Sequence, residues 1–150
     1  CEPPIVRPQG SIMKCLDNVV DGIMIQDMLR DVLLNEESES AELFSDDDKK
    51  QLIYRLMFHM VLGGPVCQYE DMMEPYLETV KRVYKSLLSV CKNAATGKID
   101  ITSVVYKVSA VQGENWELFP KQSPQNFMYV FVDVARRNCT VWYHGYIPYW

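Results

Sequence analysis

The sequence predicts an α+β fold in which three helices are followed by a three-stranded antiparallel meander packed on them. Three observations carry this reading. Apolar residues recur at spacings of three and four as far as Cys91, the period changes to two after Gly97, and Ala135-Arg136-Arg137-Asn138 joins the last two β-rich runs by a link short enough to imply a hairpin.

Pro3, Pro4 and Pro8 predict extended chain from Cys1 to Gly10, because each proline lacks an amide donor and restricts the residue before it. Ile25, Met28, Leu29, Val32 and Leu33 predict a helix over 23–34 that leaves into an acidic, serine-containing loop over 35–45. Ser45 ahead of Asp46, Asp47 and Asp48 supplies an N-cap hydroxyl, a capping-box pattern and acids at the positive end of a helix dipole, so a second helix starts near Asp46. Between Gln51 and Leu62 the only polar side chains are Gln51, Arg55 and His59, spaced by four. That places one polar stripe, with His59 half-exposed on it, along an otherwise apolar and therefore central helix. Gly63-Gly64-Pro65 stops it.

Pro75 suits the first turn of a third helix, whose core face is Leu77, Val80, Val83, Tyr84, Leu87, Leu88 and Cys91 and whose end is Asn93 to Gly97. Beyond it, β-formers fill 99–111, 127–134 and 139–147, and Asn138 is the residue expected at positive φ in the last turn.

With 150 residues, 48% of them hydrophobic and 23% charged, the chain can bury a real core without staples, and it reads as one α+β domain over 1–150 or the C-terminal part of one. Its first residue is not Met and no signal-peptide pattern follows, so the chain is expected to begin inside a longer protein. The most apolar stretch, Leu52 to Leu62, is interrupted by Arg55 and His59 and falls far short of the ~20 residues that span a bilayer. Residues 36–50 hold seven acids and two bases, a local charge of -5 that equals the net charge of the whole chain, so the remainder is neutral. A neutral body with one acidic segment lacks the basic footprint that phosphates demand, which disfavours nucleic acid and anionic membrane as partners. Cys1, Cys15, Cys67, Cys91 and Cys139 are odd in number, scattered and far from a second ligand, as expected of buried thiols in a reducing compartment.

No constellation for catalysis stands out. Gly63-Gly64 follows a helix, Ala95-Thr96-Gly97-Lys98 has one glycine before its lysine and reads as a helix-to-strand turn, and neither is a phosphate-binding loop. The two histidines, His59 and His144, are too few for a metal centre, and His144 shares a strand face with Trp142 and Tyr146, where an aromatic cluster is the plain reading. No cofactor is expected. The most individual segment runs from Leu62 to Asp71: Gly63 and Gly64 open a rigid corner that presents Gln68, Tyr69, Glu70 and Asp71 before a long helix. It is either a helix-helix corner whose polar groups cap the next helix or a partner-binding edge. Trp142 and His144, with Arg136 and Arg137 at the turn, form the second candidate contact surface if any of the C-terminal aromatics is exposed.

Several idiosyncratic strings then become recognisable: Ile12-Met13-Lys14-Cys15-Leu16-Asp17; the corner continuing to Glu74-Pro75-Tyr76-Leu77-Glu78-Thr79; Lys98-Ile99-Asp100-Ile101-Thr102-Ser103 with Tyr106-Lys107-Val108-Ser109-Ala110; and Val132-Asp133 through Arg136-Arg137 to Tyr143-His144-Gly145-Tyr146. In collinear order over nearly the whole chain, they resemble the cilia- and flagella-associated protein 300 family. The resemblance implies a non-enzymatic protein of the cytoplasm and the ciliary axoneme that assembles or delivers outer and inner dynein arms. Its implied partners are dynein assembly factors and dynein-arm subunits, with the ciliary transport machinery as a further candidate. It also implies a substantial N-terminal region ahead of the part seen here. The rival reading is a small-molecule-binding or enzymatic domain with a pocket between meander and helices and Cys67 or His144 as its reactive group.

Overall fold

The chain first turns back on itself at Asp21-Gly22, where both residues take positive φ (51° and 78°). This two-residue loop matches the twist of the strands it joins, β1 (Lys14–Val20) and β2 (Ile23–Asp27), which pair antiparallel with an irregularity between Lys14 and Asn18. The structure, a computed structural model, describes residues 5–64, 69–111 and 117–148. It divides into two compact units, Cys1–Arg82 and Val83–Trp150.

In the first unit, the helix expected over 23–34 is half strand. Ile25 and Asp27 turn inward at period two in β2, and the Asp27 carboxylate accepts the Arg30 amide, so α1 (Met28–Leu34) can only begin after that cap. The acidic stretch that follows is folded rather than a plain loop: Asp31 accepts from Asn35 Nδ2 at 2.8 Å and Ser38 Oγ at 2.5 Å, and a 3-10 turn covers Ala41–Leu43. Ser45 and Asp48 form the expected capping box at the start of α2 (Asp46–Lys50). The predicted single helix is broken, because Gln51 adopts extended backbone (ψ 141°), closing α2 and serving as N-cap of α3 (Leu52–Leu62). The polar stripe of α3 also runs inward as it ascends: Gln51 is exposed, Arg55 half-buried, and His59 buried with the Phe58 ring edge-on at 5.5 Å, not half-exposed as its spacing suggested.

Gly63 ends α3 at φ 72° with its amide on the His59 carbonyl. α4 (Met73–Leu87) carries Pro75 in its first turn and crosses from the first unit into the second. Its inward residues are Tyr76 and Val80, whereas Leu77, expected on the core face, is 49% exposed. The core of the first unit gathers Ile12, Leu29, Leu33, Val61 and Tyr76, with Phe44, Tyr54, Met57 and Phe58 packed partly buried against it.

In the second unit, the helix stops four residues short of Cys91. Val90–Lys92 is instead strand β3, paired with β4 (Ile99–Ile101) across a turn in which Gly97 takes φ 69° and Asn93 Oδ1 accepts the amides of Ala95 and Thr96. The segment read as a helix-to-strand turn is therefore a hairpin. The meander has the expected three antiparallel strands, in the order β5 (Ser103–Lys107), β6 (Phe127–Asp133), β7 (Asn138–His144), but the run read as one strand over 99–111 is divided, because Ile99–Ile101 pairs with β3 and only β5 joins β6. β6 alternates strictly, burying Phe127, Tyr129, Phe131 and Asp133. At the β6–β7 turn the positive φ belongs to Arg137 (52°) and not to Asn138, because Asn138 is already the first strand residue, paired with Asp133. Among the described cysteines Cys15 is half-buried, while Cys91 and Cys139 are exposed on their strands, contrary to the expectation of buried thiols.

Candidate functional site

The corner after α3 is held by a buried cation. Arg30, 1% exposed, is presented by the first turn of α1 because Asp27 caps that helix and also pairs with the Arg30 Nη1. Arg30 Nη2 donates to the Tyr76 hydroxyl at 2.8 Å, and the same hydroxyl accepts the Glu70 amide at 3.2 Å. The Tyr69 ring lies over the guanidinium, 3.6 Å from its carbon to the ring centroid, a cation-π contact at close range. One buried side chain thus ties α1, α4 and the corner together.

A second set of bonds fixes the end of the corner. The Asp71 carbonyl accepts the Ile12 amide, the Met73 amide donates to the Gly10 carbonyl, and Lys14 Nζ meets Asp71 Oδ1 at 2.5 Å. The Lys14 ammonium holds the Asp71 carboxyl below the usual carboxylate range, and Asp71 in turn raises Lys14. Glu70 is exposed, and its carboxylate has no partner among the described residues.

Of the candidate residues in this corner, Gly63 and Gly64 are half-buried, and Tyr69 (41% exposed), Glu70 and Asp71 stand at the surface. Gln68, like Cys67, lies outside the described residues. The candidates of the second unit do not form one patch. Arg136 and Arg137 are exposed at the β6–β7 turn; Arg136 pairs with Asp133 and reaches the Val90 carbonyl at 3.5 Å, while Arg137 supplies the left-handed residue. Trp142 and His144 lie toward the other end of β7, where Trp142 packs on Phe127 at 4.2 Å and on Tyr129 at 5.9 Å, and His144 on Phe127 at 5.7 Å. Arg136 donates its backbone amide to Asp133, which keeps that carboxyl low.

Arg30, Tyr76, Asp27 and Lys14 were not legible as site residues. The one sequence signal was Asp27 three residues before Arg30 at a helix start; nothing in the spacing announces that Tyr76, 46 residues further on, completes the cluster. Among the described residues no group of three His, Cys, Asp or Glu side chains could hold a metal ion, and no helix is long and apolar enough to cross a membrane.

These features define an α+β protein whose most distinctive surface is a corner locked from behind by a buried ion pair and presenting one uncommitted carboxylate. The chain belongs to the cilia- and flagella-associated protein 300 family, whose profile matches residues 1–144. It is similar to the cilia- and flagella-associated protein 300 of Chlamydomonas reinhardtii, 49% identical over 99% of this chain and 58% of that protein. It is also similar to that of Paramecium tetraurelia, 32% identical over 95% of this chain and 55% of that protein. The chain therefore spans little more than half the length of these relatives, and it is a cilia- and flagella-associated protein by family. No solved structure matches it.

Proposed function

We propose that this chain is the partner-binding part of a non-enzymatic ciliary protein that acts in cytoplasmic assembly, in ciliary delivery, or in both, of outer and inner axonemal dynein arms, and hence in ciliary motility and axoneme organisation. Its partners are dynein assembly factors and dynein-arm subunits, and it works in the cytoplasm and at the axoneme without a cofactor. The observation that carries the binding part of this reading is the braced corner. Tyr69 and Asp71 are already ordered by Arg30 and Lys14, so a partner that docks there pays little ordering entropy. Glu70 is left exposed to meet a cation on the partner. The dynein assignment rests on the family likeness.

The test is affinity purification of this chain and of the full-length protein from cells regrowing cilia, read by quantitative mass spectrometry. Dynein-arm chains or assembly factors on both baits are the expected result. Their absence from both would remove the proposal.

A further inference from the structure

We infer that the first unit carries a second docking surface, a groove that takes the apolar face of a basic amphipathic helix from a partner protein. The groove has a volume of about 380 Å³, and α1, the acidic segment, α3 and α4 all contribute to it. Of its lining residues, Leu29 and Leu33 are buried and form the floor, Phe44 and Tyr54 meet edge-on at 5.1 Å as one wall, and Ile53 and Leu77 are exposed at the rim. The two rim residues are the surprise of the fold. Ile53 is 53% exposed on a helix whose sequence is apolar nearly all round, and Leu77 is exposed although its spacing put it on the core face of α4. Leu43, on the 3-10 turn just before Phe44, is exposed as well. Apolar side chains gathered round an open depression mark a contact surface more than scattered exposed leucines do. A depression with rim residues from two helices is the shape that receives residues i, i+3, i+4 and i+7 of a helix.

Charge selects the class of helix. The segment that contributes Phe44 and Asp48 to the groove is the acidic run, with charge -5 over residues 36–50. Glu42, Asp46 and Asp47 are exposed on it, and Glu74 is exposed between Met73 and Leu77 on α4. The bases within four residues of the groove's lining residues, apart from the buried and paired Arg30, are Lys49, Lys50, Arg55 and Lys81. Lys50 is already paired with Asp47 at 3.0 Å, and the half-buried Arg55 donates to the Lys50 carbonyl at 3.4 Å. An apolar floor inside an acidic border favours lysine or arginine flanking the partner's apolar stripe, and disfavours acidic helices and anionic lipid. The groove shares Met73 with the end of the corner but is lined by none of Tyr69, Glu70 and Asp71, and it does not depend on the dynein reading.

The test is selection of binders from a displayed library of random helix-forming peptides on the purified chain, followed by affinity measurements on the enriched peptides. Enriched sequences should carry apolar residues at i, i+3 or i+4 and i+7 flanked by Lys or Arg. Their affinity should fall about tenfold or more with Ile53→Asp or Leu77→Asp, because each sets an unpaired charge against the apolar stripe of the bound helix. Both residues are exposed, so the helical circular dichroism should be retained. If either variant unfolds, Glu42→Lys with Glu74→Lys leaves the apolar floor intact and should weaken the same peptides, more at about 0.05 M than at about 0.3 M salt. Enrichment of acidic or extended peptides, equal binding to all variants, or no enrichment would overturn the inference. So would self-association of the wild-type chain that Ile53→Asp abolishes, because the occupant would then be a second copy.

Discussion

Tyr76→Phe removes a single oxygen, and the structure fixes what that oxygen does. It accepts one hydrogen bond from the buried Arg30 guanidinium at 2.8 Å and one from the Glu70 amide at 3.2 Å. The ring remains to fill its place in the core, so no cavity opens. A hydrogen bond to a charged group contributes about 1.5–3 kcal/mol, and a buried donor left without its acceptor keeps the full desolvation cost. Among the described residues Arg30 Nε is already buried without a hydrogen-bond partner, so the guanidinium has none to spare. The Glu70 amide is only part-buried and can bond to water, which limits its share. The expected loss is therefore about 2 kcal/mol, or about 4–8 °C in melting temperature for a chain of this size. All three tryptophans, Trp116, Trp142 and Trp150, fall in the second unit, so the assay is circular dichroism at the helical band, which reads the first unit. Amide exchange at Glu70 should accelerate in parallel. A loss below about 0.5 kcal/mol with Glu70 exchange unchanged would refute the claim that this hydroxyl braces the corner.

Arg30→Met alone should cost about 3–5 kcal/mol by urea unfolding, because Asp27 is left charged and buried. Asp27→Asn with Arg30→Met should recover most of that, since asparagine keeps the helix cap without the charge. Gly145→Ala would place a Cβ 2.5 Å from Tyr143 Oη and 3.0 Å from Pro120 Cδ, displacing the hydroxyl that donates to the Leu118 carbonyl. Tryptophan-detected melting should fall by about 2–4 °C, the size of a lost hydrogen bond, and Tyr143→Phe in the same chain should bring much less further loss. Asp71, Asp48 and Asp133 are held low by the Lys14 ammonium, the Ser45 hydroxyl and the Arg136 amide respectively. Their folded values lie below the unfolded ones, so the stability they supply is complete above about pH 4–5 and is lost as pH falls through the lowered values. Melting temperature should hold between about pH 7 and 5 and drop below about pH 4, less steeply in Asp133→Asn.

The elements with local signals were legible. Ser45 and Asp48 announced their cap, Gly63 its helix end, and the β6–β7 alternation its hairpin, because each is decided within a few residues. Three of the errors share one cause, competition between a local period and a partner outside the run that shows it. Ile23 to Asp27 fits a helical spacing, yet the Asp21-Gly22 turn gives it a strand to pair with. Val90 and Cys91 continue the α4 pattern, yet Ile101 and Asp100 capture them. Leu77 and Tyr76 are neighbours on one helix, and Tyr76 is the one that faces inward, where its ring joins the core and its hydroxyl meets the Arg30 guanidinium. The corner itself was visible from its glycines and its cluster of polar residues. That Tyr69 and Asp71 are committed to Arg30 and Lys14, leaving Glu70 as the available group, required the fold.

The most direct test of the partner-binding reading is Glu70→Lys in the tagged full-length protein. Partner recovery is compared with wild type at equal expression in cells regrowing cilia, and unfolding is measured on the purified chain. Glu70 contributes only its amide to the brace, so the melting temperature should stay within about 2 °C of wild type, as for a surface substitution. Dynein-arm subunits and assembly factors should fall to background. Full recovery of those partners by the variant would contradict the corner as the docking surface.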